Sequence, residues 1–235
     1  MKKAKTVVIL GDAHLPYGDK GVVSQAIDVI KSVKPYYVIQ IGDLYDFYFH
    51  SSYPKKLLDI TPTEEYEAGR IEAEIFWSKA LKSSPKSKCF QLKGNHCDRP
   101  YKRLMETHPE LMLFAGPGLK KMFEFKGVET IHDSTQELLL KTVQGDVLFH
   151  HGHRAKLGDH LIYNQTSTVV GHSHSGGVVF KQYSDGLKFE LNCGYSGDPS
   201  QGPLKYGSQQ KKYWTHGCGV IDTLGPRFVP LKGRK

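Results

Sequence analysis

Cysteine is scarce in this chain: there are four among 235 residues, Cys89, Cys97, Cys193 and Cys218, with no CxxC spacing among them. That excludes a zinc knuckle or a dense disulfide framework, and reduced thiols are expected. Long hydrophobic runs are lacking as well. The opening MKKAKTVVILGD carries lysines but only a four-residue apolar run before Gly11 and Asp12, too short for a signal peptide or a membrane span. A soluble, cytoplasmic protein without membrane contact is the expectation. No linker-like stretch and no internal repeat divides the sequence. Residues 1–235 therefore read as one domain, long enough to bury about three quarters of its surface on folding. Acidic residues are in deficit, 24 Asp plus Glu against 32 Lys plus Arg, giving +8 with neutral histidine. The surplus favours phosphate-rich partners without identifying one.

What the chain does have is a recurring unit in which a short apolar run ends in a polar cluster. Thr6 to Leu10 reads as a buried strand that stops at Gly11-Asp12. Val22, Val23, Ala26, Ile27, Val29, Ile30 and Val33 recur at the spacing of one apolar helical face. Tyr36 to Ile41 repeats the strand signal before Gly42-Asp43, and Cys89 to Leu92 repeats it before Gly94-Asn95-His96. Between these two, Thr63 to Leu81 reads as a helix with Thr63 as cap, Glu64 and Glu65 in the first turn, and Tyr66, Ile75, Phe76 and Leu81 as core contacts. After Val128 the texture is β-rich: Glu137 to Val143, Val147 to His150, Thr168 to Val170, Val178 to Tyr183, Leu187 to Leu191 and Cys218 to Ile221 are short strands, with one short helix over Leu157 to Asn164. An α/β first half joined to a β-rich second half builds best as two facing sheets covered by helices, with sites at the strand ends.

The polar clusters share a ligand chemistry. Asp12, His14, Asp43, Asn95, His151, His172 and His174 offer carboxylate oxygens, an amide oxygen and imidazoles, a set suited to transition metals rather than to an all-oxygen calcium cage. Seven candidates exceed what one tetrahedral ion needs. They suit two ions about 3.5 to 4 Å apart with one shared carboxylate, an arrangement that activates a water for in-line displacement at phosphorus.

The ordered segments Asp12-Ala13-His14, Gly42-Asp43-Leu44-Tyr45-Asp46, Gly94-Asn95-His96, His151-Gly152-His153 and Gly171-His172-Ser173-His174 resemble the DxH, GDxxD, GNH, HGH and GHxH pattern of the calcineurin-like metallophosphoesterase superfamily, compact basic members of which occur in phages and bacteria. The resemblance implies a four-layer α/β/β/α sandwich and hydrolysis of phosphomonoesters or phosphodiesters. It also implies two divalent transition-metal ions, manganese foremost, with iron, zinc, nickel or cobalt as alternatives. Asp12, His14 and His174 would hold one ion, Asn95, His151 and His172 the other, and Asp43 would bridge them. His96 would stand beside the scissile phosphate and protonate or stabilise the leaving oxygen, chemistry open to an imidazole near neutral pH. Asp46 would orient a neighbouring side chain, or else cap a turn. His153 would contact phosphate or border the first metal, and His150, its side chain alternating away from His151, would face the other side of the strand.

Substrate class is less sharply written. The protein-phosphatase version of the pattern, GDYVDRG followed by GNHE, is replaced here by GDLYDFYFH and GNHCDR, which weakens that assignment. Arg99 and Arg103 are candidate phosphate contacts. Tyr45, Phe47, Tyr48, Phe49, His50 and Tyr53 form an aromatic stretch that either stacks on bases or covers a core. Lys205, Tyr206, Lys211, Lys212, Tyr213 and Trp214 form a second, basic one. Together with the charge they favour a phosphodiesterase acting on nucleotides or nucleic acid. The alternatives are a phosphomonoesterase, including a serine/threonine protein phosphatase, and a non-enzymatic interaction protein on the same fold.

Overall fold

The computed structural model describes residues 4–53, 57–205 and 213–233. Among them, no helix is long and apolar enough to cross a membrane. The first sheet contains β1 (Val7–Leu10), β2 (Tyr37–Gln40), β3 (Lys88–Gln91), β4 (Val128–Thr130), β10 (Gly217–Asp222) and β11 (Gly225–Pro230), in the order β11-β10-β1-β2-β3-β4. The run from β1 to β4 is parallel, and β10 and β11 are antiparallel additions. The second sheet contains β5 (Leu138–Thr142), β6 (Gly145–Phe149), β7 (Thr168–Val170), β8 (Gly177–Tyr183) and β9 (Gly186–Asn192), in the order β5-β6-β7-β9-β8, with β6, β7 and β9 parallel.

Strand alternation sorts the core into two compartments. Val7, Ile9, Ile39, Ile41 and Phe90 point at the second sheet and meet Val147, Phe149, Val169 and Leu191. Their neighbours Val8, Leu10, Val38 and Cys89 point the other way, against α1 (Lys20–Val33) and α2 (Pro62–Ser83). The chain is therefore buried on both faces of β1 to β3, which is why those strands read as continuous apolar runs.

The expected four layers are present, with the fourth thin. It consists of α5 (Asp159–Asn164), which buries His160 and Leu161. Glu190 Oε1 accepts from Gly158 N–H at 2.9 Å and Oε2 from Leu161 N–H at 2.8 Å, so a buried carboxylate on β9 ties down the start of this short helix. Leu139, Ile162 and Tyr163 remain exposed.

Two expectations about α2 are corrected. Its cap is Thr61, which forms a reciprocal capping box with Glu64, and Pro62 opens the first turn; an N–H-free residue is at no disadvantage there. Of the expected core contacts only Ile75 fails, at 47% exposed: Phe76 is buried with Gly69, Ala73, Trp77 and Ala80, and Tyr66 and Leu81 pack against the same core. Small residues let the helix approach the sheet, and they leave little trace in a search for large apolar side chains.

Strands β4 and β11 and the helices α3 (Arg99–Thr107) and α4 (Met112–Lys121) had no sequence counterpart. α3 is short and buries only Pro100, and α4 contains Gly116, Pro117 and Gly118, which interrupt a helix signal. The aromatic stretch after Asp43 covers a core: Tyr45, Phe47 and Tyr48 are buried, and only Tyr53 is largely exposed. Of the later basic and aromatic stretch, Tyr206, Lys211 and Lys212 lie outside the described residues, and Trp214 is half-buried beside His174.

The turn after Asp46 is held by an unexpected group, Glu65 on α2, which is buried and accepts from Tyr48 N–H at 2.7 Å. Burial pushes its carboxyl up from 4.5 to about 7, against the hydrogen bonds from Tyr48 and Phe49 and with the Asp46 charge adding to the rise. The folded chain thus keeps a proton that the unfolded chain releases. This contribution to stability is complete below about pH 4.5, fades as pH rises, and is gone above about pH 7, on the order of 3 kcal/mol in all. Urea denaturation of Glu65→Gln and the parent chain should show the parent losing stability relative to the variant across that window. A pH-independent difference between the two would contradict the assignment.

Candidate metal and phosphate site

Five strand ends deliver the polar clusters to one edge. β1 leads to Asp12 and His14, β2 to Asp43 and Asp46, β3 to Asn95 and His96, β6 to His151, and β7 to His172 and His174. These are carboxyl ends of parallel strands, where successive loops diverge and open a crevice. Backbone bonds lay the loops side by side: Asp12 N–H donates to Gly42 C=O, His14 N–H to Asp43 C=O and Gly171 N–H to His151 C=O, at 3.0 to 3.1 Å.

The chain turns sharply at these points. Asp12, His14, Asp43, His172 and His174 all have positive φ, between 47° and 68°. Aspartate and histidine are among the side chains that tolerate this left-handed region, at a cost of about 1 kcal/mol or more each. Their concentration in one place marks a site whose geometry the surrounding fold enforces. The adjacent glycines are sterically required. A Cβ on Gly42 would lie 2.5 Å from His151 Nδ1, one on Gly171 2.5 Å from Asp12 Oδ2, and one on Gly94 would collide with Asp43 Oδ1.

Two groups of donor atoms converge. In the first, His174 Nε2 lies 3.3 Å from Asp12 Oδ1 and 3.2 Å from His14 Nε2. In the second, His151 Nε2 lies 3.1 Å from both Asp43 Oδ2 and Asn95 Oδ1, and His172 Nδ1 lies 3.0 Å from the same Asn95 oxygen. Asp43 belongs to both neighbourhoods, grouping with Asp12 and His151 on one side and with His14 and His96 on the other. Asp12 and Asp43 are buried, and among the described residues their ion pairs involve only imidazoles, never lysine or arginine.

The electrostatics fit cations. Burial by itself would raise the Asp43 carboxyl, yet His151 and His96 hold it well below its usual range; Asp12 is likewise lowered, against burial, by His174. Burial would depress His151, yet the Asp43 carboxylate pushes it up to about 9. Burial, reinforced by the His151 charge, brings His172 down to about 4, and burial lowers His174. The site thus keeps the carboxylates ionised and His172 and His174 neutral, the protonation state in which these groups ligate metals, while His151, protonated beside Asp43, would give up its proton to a metal.

Asp46 organises two rings at once. Its Oδ1 lies 3.0 Å from His14 Nδ1 and 2.9 Å from His96 Nδ1, and the two rings hold its carboxyl far below the ordinary range in spite of burial. An ionised carboxylate only accepts, so both histidines donate from Nδ1 and turn Nε2 toward the site. For His14 this aims a lone pair at the first donor group. For His96, Nε2 lies 4.0 Å from Asp43 Oδ2 and accepts from Arg99 Nη2 at 2.9 Å, while Arg99 Nη1 donates to the Asp46 carbonyl at 2.8 Å.

Arg99 is therefore anchored beside His96. Arg103 is exposed on α3, and His153 is exposed with its ring against His160. His150 faces away from the site, as strand alternation requires, and its Nε2 accepts from Asn164 at 3.3 Å. The position following Asp46, which holds arginine in the protein-phosphatase pattern, is the buried Phe47, and the guanidinium beside Asp46 comes instead from Arg99.

Several supporting residues had not been singled out. Asn192 Nδ2 donates to Gly171 C=O at 2.9 Å and to Ser173 Oγ at 2.8 Å, bracing the loop of His172 and His174. His160 Nε2 accepts from the N–H groups of His153 and Arg154 at 3.2 and 3.3 Å, bracing the loop after His151. Tyr195 stacks on the His174 ring at 4.5 Å between centroids. Asn192 did carry a signal, since it follows the alternating strand pattern Leu187 to Leu191 as the other site residues follow their strands. His160 and Tyr195 carried none.

The family model described as calcineurin-like phosphoesterase matches residues 5–198. The Gene 54 protein of Mycobacterium phage D29 is 26% identical over 98% of this chain and 95% of its own length. The Gene 54 protein of Mycobacterium phage L5 is 27% identical over 74% and 71%. Among solved structures, a novel archaeal phosphodiesterase is 18% identical, with a TM-score of 0.46 over 96% of this chain and 99% of that one.

Proposed function

The chain belongs to the calcineurin-like phosphoesterase family, and from that premise we propose that it is a dinuclear metal-dependent phosphoesterase of the cytoplasm, acting on phosphodiester bonds of nucleotides or nucleic acid. The observation that carries this reading is the convergence of two mixed nitrogen and oxygen donor groups on the buried, ionised Asp43. Asp12, His14 and His174 would hold one ion and Asn95, His151 and His172 the other, with Asp43 shared. Imidazole, carboxylate and amide donors suit manganese, and also iron, zinc, nickel or cobalt. When bound, such ions supply an activated water and neutralise charge on the phosphate.

The remaining work falls to the chain. His96, oriented by Asp46 and turned toward Asp43, would serve the leaving oxygen through Nε2. Arg99 now donates to that nitrogen. A phosphate oxygen competing for the guanidinium would itself be clamped and would free Nε2 to take a proton from solvent, the proton it then passes to the leaving oxygen, so Arg99 would serve both steps. Arg103 and His153 would supply outer contacts to a longer substrate.

The preference for diesters rests on the net positive charge of +8 and on the absence of the arginine that follows Asp46 in protein phosphatases. Metal-reconstituted protein should hydrolyse bis-p-nitrophenyl phosphate, cyclic nucleotides, DNA or RNA in preference to p-nitrophenyl phosphate. A clear monoester preference would replace the diester reading with a phosphatase. Full metal loading with no hydrolysis of either class would favour an interaction protein on this fold.

A further inference from the structure

Five arginines stand among the described residues, and three of them are committed: Arg70 to Glu74, Arg99 to the Asp46 carbonyl and His96, and Arg227 to Asp222. Arg103 is exposed on α3, and no side chain among the described residues pairs with it. Arg154 differs from all four, being held and yet unpaired. It stands three residues beyond His151, so the two Cα atoms are at most about 10 Å apart. Its backbone is fixed by His160, whose Nε2 accepts from the N–H groups of His153 and Arg154. Its side chain is fixed as well, because Nε is buried and the guanidinium carbon lies 5.0 Å from the centre of the Tyr163 ring. Among the described residues the two terminal nitrogens have neither a hydrogen-bond partner nor an ion pair, and they are not buried. A guanidinium lying over an aromatic ring uses its face there and keeps its in-plane donors for an anion. Tyr163 is 70% exposed, so the ring face away from Arg154 is open. The end of α5 that carries this ring is tied to the strand end of His151, since Asn164 donates to His150 Nε2 at 3.3 Å. Lys156 and the exposed His153 share the loop with Arg154. Glu137, which faces His153, and Asp159 on α5 form no ion pair with Arg154 or Lys156.

We propose that Arg154 and Tyr163 form a subsite for single-stranded nucleic acid beside the metal centre. The terminal nitrogens of Arg154 clamp a phosphate neighbouring the scissile one, and the open face of Tyr163 stacks on the base attached there. A guanidinium fork matches a pair of phosphate oxygens, and an aromatic face accepts any base. Bases paired in a duplex are stacked on one another, so the ring face selects a single strand. The identity of the neighbouring phosphate rests on the phosphodiester reading of the metal site, whereas binding at the subsite needs no hydrolysis.

The test is fluorescence anisotropy of the full chain, freed of metal so that no strand is cut, with short labelled strands of thymidylate, of uridylate and of abasic deoxyribose phosphate. Saturable binding of thymidylate or uridylate is expected, and the tighter of the two identifies the source as DNA or RNA. Arg154→Ala should weaken all three strands about tenfold or more, the worth of a charge-assisted hydrogen bond. It should also make the dependence of log affinity on log salt shallower by about 0.7, one phosphate contact on a single strand. Arg154→Lys should keep the parent salt slope and recover only part of the affinity, because lysine has the charge without the fork. Tyr163→Ala should weaken the two base-bearing strands about fivefold or more, keep the salt slope and largely spare the abasic strand, with the thermal midpoint preserved. Absence of saturable binding to the parent chain, or parent affinity and slope in Arg154→Ala, overturns the subsite. Equal losses of abasic and base-bearing strands in Tyr163→Ala overturn the stacking. Diester hydrolysis by the metal-loaded chain without these binding effects strikes the subsite alone; the binding effects without hydrolysis of any diester uphold the subsite and strike the phosphodiesterase reading.

Discussion

Replacing Asp43 with asparagine should weaken metal binding at both positions by more than the roughly 10- to 100-fold that loss of an outer-sphere partner costs. The substitution is nearly isosteric, and asparagine tolerates the left-handed backbone that Asp43 adopts at φ 47°, so the fold should survive. What changes is charge. Asp43 is buried and held ionised by His151 and His96, and a neutral amide would leave two cations less compensated against each other. A second readout needs no metal. The Asp43 carboxylate pushes His151 up to about 9 against burial, so the His151 ring should titrate at markedly lower pH in metal-free Asp43→Asn when followed by NMR. Metal titration with unchanged stoichiometry and affinity would remove Asp43 from the bridging role. His174→Ala should instead impair mainly the position shared with Asp12 and His14.

His96→Ala should lower turnover by about 10²- to 10⁴-fold, the usual worth of a positioned general acid, while leaving both metals bound. The structure supplies the reason for the second half of that expectation. The hydrogen bond from this residue to Asp43 is made by its backbone N–H, which donates to Asp43 Oδ1 at 2.8 Å and persists in alanine, and His151 still faces the carboxylate when the imidazole 4.0 Å away is removed. Asp46 likewise keeps its bond to His14. The loss should shrink for p-nitrophenolate, which scarcely needs protonation on departure, and grow for a ribose or alkyl oxygen. Loss of both metals in the variant would make His96 a ligand or support. Retained metals with undiminished rates on good and poor leaving groups would end the proposed role.

The contrast between these variants reflects how much of the site was legible before the fold was known. All seven candidate ligands, and His96, stand just beyond a short apolar run, and that position alone predicts delivery to one sheet edge. A buried parallel strand must end where its loop meets water or a ligand, so hydrophobicity marks where the side chains emerge. The donor types then limit the chemistry. None of this needs distances.

Long-range packing decided the rest. Aromatic residues near the site read equally well as a base-stacking surface or as core, because a ring has the same composition in either place; burial of Tyr45, Phe47 and Tyr48 settled it. α3 is a short helix and α4 carries Gly116-Pro117-Gly118 in its middle, so neither is marked as a helix by a long, uninterrupted pattern. Thr61 displaced Thr63 as the cap because the reciprocal bond to Glu64 is a matter of geometry that two nearby threonines do not distinguish by type. The bond of Arg99 to the Asp46 carbonyl and the double use of Asp46 by His14 and His96 join residues far apart in the chain. Periodicity and spacing determined which side chains this protein brings to one sheet edge. The orientation of each ring, and what its second nitrogen touches, followed only from two sheets packing their strand ends together, because a hydrogen-bond partner is fixed by position in space and not by order along the chain.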